Sequence, residues 1–312
     1  MSKTKIIFAG TPEFAVPFLK ALTEDSDFEI IGVITQPDKP SGRKQEFVPS
    51  PIKQLALKLG LKIWQPGSVK NNPELEKELK QVSPDLLVVV AFGQIIPQEI
   101  LDLAKFGNIN VHPSLLPKYR GASPVQSAIL TGETKTGVTI MLMDQKMDHG
   151  PILSQKTLLL NSEETNQSLH QALAELGVPL LLTTIKGFLG GKIKPQEQNH
   201  ESATFCQTIT KDSAKIDWSN AAIEIKRKIY AFYPWPGVWA IWGGKRIKFF
   251  PPAEIVNDSK KPGEIFLSGD GLAVGCGQGS LKISKLQLEG KKEMTAQEFL
   301  RGYNKVVGEI LK

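Results

Sequence analysis

The sequence predicts an α/β fold, a parallel sheet with helices on both faces, followed by a second and smaller β-barrel domain. Three observations predict it. Strand and helix patterns alternate from the amino terminus to Gly190, as they do in a parallel sheet built from crossover units. The run Leu86-Leu87-Val88-Val89-Val90 contains no polar residue, which suits a strand buried on both faces. After the polar stretch that follows Gly191, short apolar runs are separated by Gly, Pro and Asp turns, the pattern of a small barrel. A chain of 312 residues is long for one average domain and comfortable for two.

Taken in order, residues 5–9 read as the first strand, ending at Gly10, and 12–22 as a helix with a proline near its start. Residues 29–34 read as the second strand. A polar loop, 37–51, follows; loops of that length are usually functional or without structure. Residues 51–59 and 73–81 read as helices, and 85–91, 107–111 and 136–143 as strands. A long helix over 165–189 stops at Gly190-Gly191. Residues 192–205 are polar, with Pro195, Gln196, Gln198 and Asn199, and are taken as the linker between a first domain, 1–191, and a second, 206–312. In the second domain, 221–231 reads as a helix. Residues 238–242, 247–250, 263–267, 272–274 and 281–286 read as five short strands.

Composition bounds the class. Apolar residues make up 41% and charged residues 22%, ordinary for a globular protein with a core of its own. No uninterrupted apolar run approaches the roughly 20 residues that span a bilayer, and the start reads as a strand and not as a signal peptide. Cys206 and Cys276 lie far apart, outside any CxxC pattern, and are expected as reduced thiols in a cytoplasm. Four scattered histidines without thiol partners argue against a structural metal. The net charge of +6 is uneven: residues 1–205 hold 21 basic and 21 acidic residues, and residues 206–312 hold 17 and 11. That split suggests small-molecule chemistry in the first part and contact with a polyanion in the second. A basic domain with no nucleic-acid partner fits the charge equally well.

Three polar residues stand out. Asn110 and His112 lie at the carboxyl end of the strand 107–111, where open parallel sheets bind ligands. Being two apart, they point the same way. Asp148 sits in the turn Met147-Asp148-His149-Gly150. An amide and an imidazole can hold an oxyanion, and a carboxylate beside the imidazole can orient it and handle protons. These types suit acyl transfer without a covalent enzyme intermediate, and neither cysteine falls near them. By spacing alone, Asn-x-His at a strand end is more often a capped turn than a catalytic pair.

The run Asn110-Val111-His112-Pro113-Ser114-Leu115-Leu116-Pro117-Lys118-Tyr119-Arg120-Gly121 resembles the signature of formyltetrahydrofolate-dependent formyltransferases. The resemblance implies a Rossmann-like formyltransferase domain followed by an OB-like barrel. It implies Asn110, His112 and Asp148 as the catalytic set, and 10-formyltetrahydrofolate as formyl donor, without a metal. It further implies that the pterin lies against the main chain of Val90, Ala91, Phe92 and Gly93, and that the loop Ser114, Leu115, Leu116 and Pro117 holds the folate. Further stretches are similar to the members of that family that act on methionyl-initiator-tRNA: Ile6–Ala15 at the start, Gln36-Pro37-Asp38-Lys39-Pro40-Ser41-Gly42-Arg43, Val48-Pro49-Ser50-Pro51, Ile216-Asp217-Trp218, Phe232-Tyr233-Pro234-Trp235-Pro236-Gly237 and Gly290-Lys291-Lys292. The likeness spans nearly the whole chain. It implies formylmethionyl-tRNA as product, a cytoplasmic enzyme, no membrane partner and a monomer.

Arg43 and Lys44, in the 37–51 loop, and Lys245, Arg246 and Lys248, in the second domain, are the candidate tRNA contacts. The loop departs from its relatives, because Gln45 and Glu46 dilute a charge that is usually more basic. Arg246 and Lys248 would share one face of a strand. The aromatic run 232–239 reads chiefly as core, with stacking on tRNA as the other use. Gly10 stands alone without GxGxxG, which argues against a nicotinamide site. His149 reads as a turn residue, His170 and His200 as structural or exposed, and Asp144 as a support for the Asp148 turn. The rivals are a formyltransferase acting on a small amine, such as a glycinamide or amino-sugar nucleotide, and a nucleic-acid-binding protein whose first domain is inactive.

Overall fold

A computed structural model describes residues 3–41 and 46–312. The chain forms two compact units, one of Met1–Pro124, Lys135–Leu159 and His170–Cys206, the other of Val125–Thr134, Leu160–Leu169 and Gln207–Lys312.

The strands of the first unit are β1 (Thr4–Gly10), β2 (Phe28–Ile34), β3 (Lys39–Ser41), β4 (Glu46–Val48), β5 (Ile63–Trp64), β6 (Leu86–Val90), β7 (Asn108–His112), β8 (Lys135–Leu142) and β9 (Ile152–Leu159). Seven form one sheet in the order β5-β2-β1-β6-β7-β8-β9, and β3 pairs with β4 as a separate hairpin. From β5 to β7 the sheet is parallel. β8 pairs antiparallel with β7 and β9 antiparallel with β8; the turn between β8 and β9 leaves no room for a crossover. The sheet is therefore mixed, where the sequence suggested parallel strands throughout. Ile6 and Phe8 are buried on one face, and Ile7 and Ala9 on the other, with Leu86–Val90 buried at every position. Ile7, Ala9, Leu87 and Val89 share a core with Leu75 and Leu79 of the helix Pro73–Val82. Each such side chain contributes about 1.5–3 kcal/mol of burial.

Strand order reverses between β1 and β6, where Gly10 pairs with Val90. In open α/β sheets the ligand crevice lies at such a switch point, beyond the carboxyl ends of the strands. β7 is next, with Val89 opposite Asn110 and Val90 opposite Val111. The turn after β6 and the polar end of β7 are thus brought side by side by hydrogen-bond register.

The helix Asn166–Leu189 has 24 residues and is long and apolar enough, by length and composition, to cross a membrane; its polar residues break the apolar run in the sequence. Within the first unit its Leu173, Leu181 and Ile185 are buried. A Cβ at Gly177 would meet the Phe18 ring and Val138, so that face is closed against the sheet and the first helix.

The second unit holds β10 (Trp239–Trp242), β11 (Lys245–Val256), β12 (Ile265–Ser268), β13 (Gly271–Gly275), β14 (Ser280–Leu288) and β15 (Met294–Thr295). They form an antiparallel curled sheet, β10-β11-β14-β13-β12, with β15 on β14. The chain's last residues fill the gap between its edges. Ile241 of β10 and Lys312 exchange both backbone bonds, at 2.7 and 2.9 Å, while Ile265 of β12 donates to Glu309 and Leu311 donates to Gly263. β11 runs past Pro251-Pro252, where the sequence reading stopped it at 250. The prolines lack N–H donors, and the ladder absorbs them as a bulge between Phe250 and Ala253. The helix Ala222–Ala231 packs on β11 and buries Ile225 and Ile229. Glu163 accepts from Lys226 at 2.5 Å and Tyr230 at 3.0 Å, so an inner segment of the chain is tied into this unit.

Candidate functional site

Asn110, His112 and Asp148 lie together at the end of the first unit's sheet. Asn110 Nδ2 is 3.4 Å from Asp148 Oδ1, and His112 Nδ1 is 3.5 Å from the same oxygen. The strand's period of two aims both side chains at one carboxylate oxygen. The other, Oδ2, accepts the Gly121 N–H at 2.7 Å. His112 is buried and Asp148 nearly so, so their polar atoms meet where water screens little.

The tautomer of His112 is set by the main chain. Its Nε2 lies 2.9 Å from the carbonyl oxygen of Tyr119. A carbonyl only accepts, so Nε2 carries a proton whatever the charge of the ring. Nδ1, facing Asp148, is the nitrogen that gains or loses one. Tyr119 holds this carbonyl in place from a left-handed conformation, φ +61°. Its own N–H donates to Thr204 Oγ1 at 2.9 Å. Arg120 and Cys206 complete a short parallel pairing, Arg120 N–H to Thr204 O and Cys206 N–H to Arg120 O, both 2.8 Å.

Asp148 is also left-handed, at φ +49°, a conformation costing about 1–3 kcal/mol for a residue other than glycine. Surrounding bonds hold it there. Gln198 Nε2 donates to the carbonyls of Asp148 and Gly150, at 3.0 and 2.8 Å. Beside the turn, His149 Nδ1 is 2.6 Å from Asp144 Oδ2, and its ring stacks on His200 at 4.0 Å. Arg120 reaches His200 Nδ1 at 2.8 Å. Burial, then His149 and Arg120, lower the pKa of His200.

The residues expected to hold the folate divide into two groups. At the end of β6, Val90 and Phe92 are core, whereas Ala91 and Gly93 are exposed. The Phe92 carbonyl is occupied by Thr11 at 2.9 Å and Gln36 at 3.0 Å, and Gln36 also donates to Gly93 O. In the next loop, Ser114 and Leu116 are buried and internally bonded, Ser114 Oγ to Lys118 O and Leu116 N–H to Thr139 Oγ1. Leu115 and Pro117 are partly open.

Of the basic candidates, Arg43 and Lys44 lie outside the described residues. In the second unit, Lys245 and Arg246 are exposed and Lys248 half-buried. Arg246 stacks on the Trp239 ring at 4.3 Å, which pre-orients a planar cation on an open strand. In the aromatic run Phe232 and Val238 are core, Tyr233 meets Phe250 edge-on, and Trp235 is left 52% exposed. Burial pushes the Cys276 thiol up to about 12, which leaves it inert as a nucleophile. Among the described residues no group of three His, Cys, Asp or Glu side chains could hold a metal ion.

Residue reading missed four contributors: the Tyr119 carbonyl, the Gly121 N–H, Thr204 and Gln198. The first two are main chain and have no residue signature. The others lie in a polar stretch that resembles any linker.

Comparison with known proteins joins these features to a family. The formyl transferase family model matches residues 3–185, and the formyl transferase C-terminal domain model matches residues 208–304. Methionyl-tRNA formyltransferase of Caldanaerobacter subterraneus is 45% identical over 310 residues, 99% of this chain and all of that protein. The enzyme of that name from Geobacter sulfurreducens is 42% identical, over 97% of this chain and 95% of its own. Among solved structures, HypX from Aquifex aeolicus in complex with tetrahydrofolic acid superposes with a TM-score of 0.67 at 20% identity. It covers 99% of this chain, which spans 49% of HypX. An N-formyltransferase from Helicobacter canadensis, with folinic acid and dTDP-3-aminofucose, gives 0.65 at 20% identity, over 93% of this chain and all of its own.

Proposed function

From the premise that this chain belongs to the methionyl-tRNA formyltransferases, within the formyl transferase family, we propose how its residues do that work. The enzyme moves the formyl group of 10-formyltetrahydrofolate to the α-amino group of methionyl-initiator-tRNA, giving formylmethionyl-tRNA for translation initiation. The observation that carries the assignment of roles is the convergence of Asn110 and His112 on one oxygen of Asp148, at the sheet end where ligands bind.

The donor fits the residues present. Main chain at Ala91 and Gly93 is exposed at the same sheet end as Asn110, and Leu115 and Pro117 offer apolar surface beside it. The folate supplies an activated formyl carbon; the chain's residues do the rest. Asp148 takes up the proton of the incoming ammonium, whose free pKa of about 7.7–8.0 makes this modest work. Asn110 Nδ2 and protonated His112 Nδ1 donate to the formyl oxygen as it gains charge. The amine nitrogen bonds to the formyl carbon and the bond from that carbon to N10 breaks; of the two protons the ammonium nitrogen gives up, one passes through Asp148 and His112 to N10 and the other leaves to solvent. The small-amine reading is disfavoured by full-length identity of 45% to a methionyl-tRNA formyltransferase, against 20% to the N-formyltransferase whose structure holds an amino sugar nucleotide. In this reading the enzyme works as a monomer in the cytoplasm, where charged tRNA is made.

The assay is formylation of charged initiator tRNA by 10-formyltetrahydrofolate, with uncharged tRNA as control. Formylmethionine is expected only from the charged species; its absence overturns the assignment. Two further results are expected. In 15N-labelled protein the neutral His112 ring shows its proton on Nε2, because the Tyr119 carbonyl can only accept. A spectrum with the proton on Nδ1 shows that this carbonyl does not hold the ring. For the tRNA, KM rises with salt as phosphate contacts are lost. Arg246→Ala together with Lys248→Ala raises KM for tRNA several-fold, flattens the salt slope by about one per contact removed, and leaves KM for the folate unchanged. A salt-insensitive KM for tRNA removes the basic strand from the docking surface.

A further inference from the structure

We infer that Gln198 is a positioning residue for formyl transfer: it bolts the main chain of the Asp148 turn to the loop that carries Arg120 and Gly121. The inference rests on the proposed role of Asp148.

Gln198 is 5% exposed and Arg120 is 4% exposed. The amide's orientation is dictated by its partners. Arg120 can only donate, and does so to Gln198 Oε1 from Nη2 at 2.7 Å and from Nε at 3.2 Å. The carbonyls of Asp148 and Gly150 can only accept, and both take a proton from Gln198 Nε2, at 3.0 and 2.8 Å. Both hydrogens and both lone pairs of the side chain are used. One amide therefore holds the turn at two carbonyls two residues apart and anchors it to a buried guanidinium.

What that fixes is the aim of Asp148. Its Oδ2 meets Gly121 N–H, in the residue next to Arg120, and its Oδ1 faces Asn110 and His112. Arg120 and Gly121 lie on one side of the contact and Asp148 and Gly150 on the other, with Gln198 spanning them. Gln198 touches neither of the reacting partners in this scheme and works through Asp148 alone. Small displacements of a catalytic group cost large factors in rate, so the bolt is expected to appear in kcat and not in substrate affinity.

The test uses the full-length enzyme and steady-state kinetics. Gln198→Met keeps the size and removes all four bonds; kcat is expected to fall about 30-fold, with KM for the folate and for tRNA within twofold of wild type. In an Asp148→Asn background the same substitution is expected to change kcat by less than about threefold, since the group it positions is already disabled. Gln198→Glu guards against a variant that fails to fold. The introduced carboxylate keeps Arg120 but turns an oxygen on the two carbonyls; its kcat is expected to fall as far as that of Gln198→Met, with both KM values within twofold of wild type. A merely structural role lowers the amount of folded enzyme and not the kcat of each folded molecule. Equal losses from Gln198→Met in both backgrounds, or a Gln198→Glu enzyme with wild-type kcat, overturn the proposal and leave Asp148 untouched. Near-normal turnover of Asp148→Asn alone instead overturns the role of Asp148 on which the proposal stands.

Discussion

Asp148→Asn is expected to lower kcat about a hundredfold or more and to leave folate binding and thermal stability near wild type. Asparagine is the informative substitution because of the backbone. Asp148 has φ +49°, a region that Asn and Asp enter more readily than other side chains. Alanine there adds strain to the loss of charge and confuses the two effects. Asparagine keeps the turn and can still accept the Gly121 N–H with its oxygen. Its amide nitrogen then faces Asn110 Nδ2 donor against donor, and it can pair with His112 Nδ1 only when that nitrogen carries no proton. In the proposed mechanism the relay then has no base. His112→Ala is expected to act on the same step from the other side, removing the proposed donor to the developing oxyanion, a loss that typically costs a hundred- to a thousandfold. The double variant falls little below the worse single one, because the two side chains act as a unit. Steady-state kinetics, a melting curve and a titration with a folate analogue check all three. Turnover within threefold of wild type in either single variant removes that residue from the mechanism.

Much of the first unit could be read from residues because its strands are buried on both faces. The run Leu86–Val90 is apolar at every position, and no surface requirement blurs it. Elements with a mixed environment were not legible. β5 has two residues. β9 is exposed at much of its length, so its pattern looks like a loop. The helix Pro124–Thr131 is too short for its period to show. In the second unit Pro251-Pro252 spoke for a strand end, and the bulge that absorbs them is a tertiary solution that local rules do not contain. The site divides along the same line. Asn110, His112 and Asp148 were legible as side chains with a motif around them. The Tyr119 carbonyl, the Gly121 N–H and the amide of Gln198 act through geometry that exists only once residues 198–206 lie alongside 119–121. Polarity marked 192–205 as linker, and most of that stretch is exposed; Gln198 is the buried exception, and nothing in its neighbours' polarity sets it apart.

The domain boundary shows the same limit in a form that affects experiment. Composition changes near Gly190 and charge divides the chain at residue 206, with 192–205 read as linker between them, yet Val125–Thr134 and Leu160–Leu169 belong with the second unit. Lys226 lowers the pKa of Glu163 through its hydrogen bond. A chain cut at 206 loses that partner and the Tyr230 hydroxyl, leaving an acidic group and apolar surface uncovered. Loss of activity on truncation therefore reports on packing as well as on tRNA. Substitution of exposed Arg246 and half-buried Lys248, which leaves Glu163 its partners, separates the two.

The second large effect comes from a residue with no side chain. A Cβ built on Gly150 falls on the carbonyl oxygen of Leu142, inside any contact distance, with Asp144 N at 3.4 Å. The obstacle is backbone at the end of β8, where Leu142 N–H also donates to Pro151 O at 2.9 Å, so neither side yields by a rotamer change. Ordinary C···O contact begins at about 3.3 Å, and alanine at 150 must push the turn off the strand by about 1 Å or more. The turn that moves carries Asp148, and it pulls its carbonyls away from Gln198 Nε2. Gly150→Ala is thus expected to lower kcat about a hundredfold with KM for tRNA little changed, although no polar group has been touched. Gly67→Ala is the control, since a Cβ there meets nothing within 4 Å and its φ is ordinary; wild-type kinetics are expected. If Gly150→Ala turned over like Gly67→Ala, the turn would tolerate a displacement of that size. The carboxylate's place beside His112 would then not be what sets the rate.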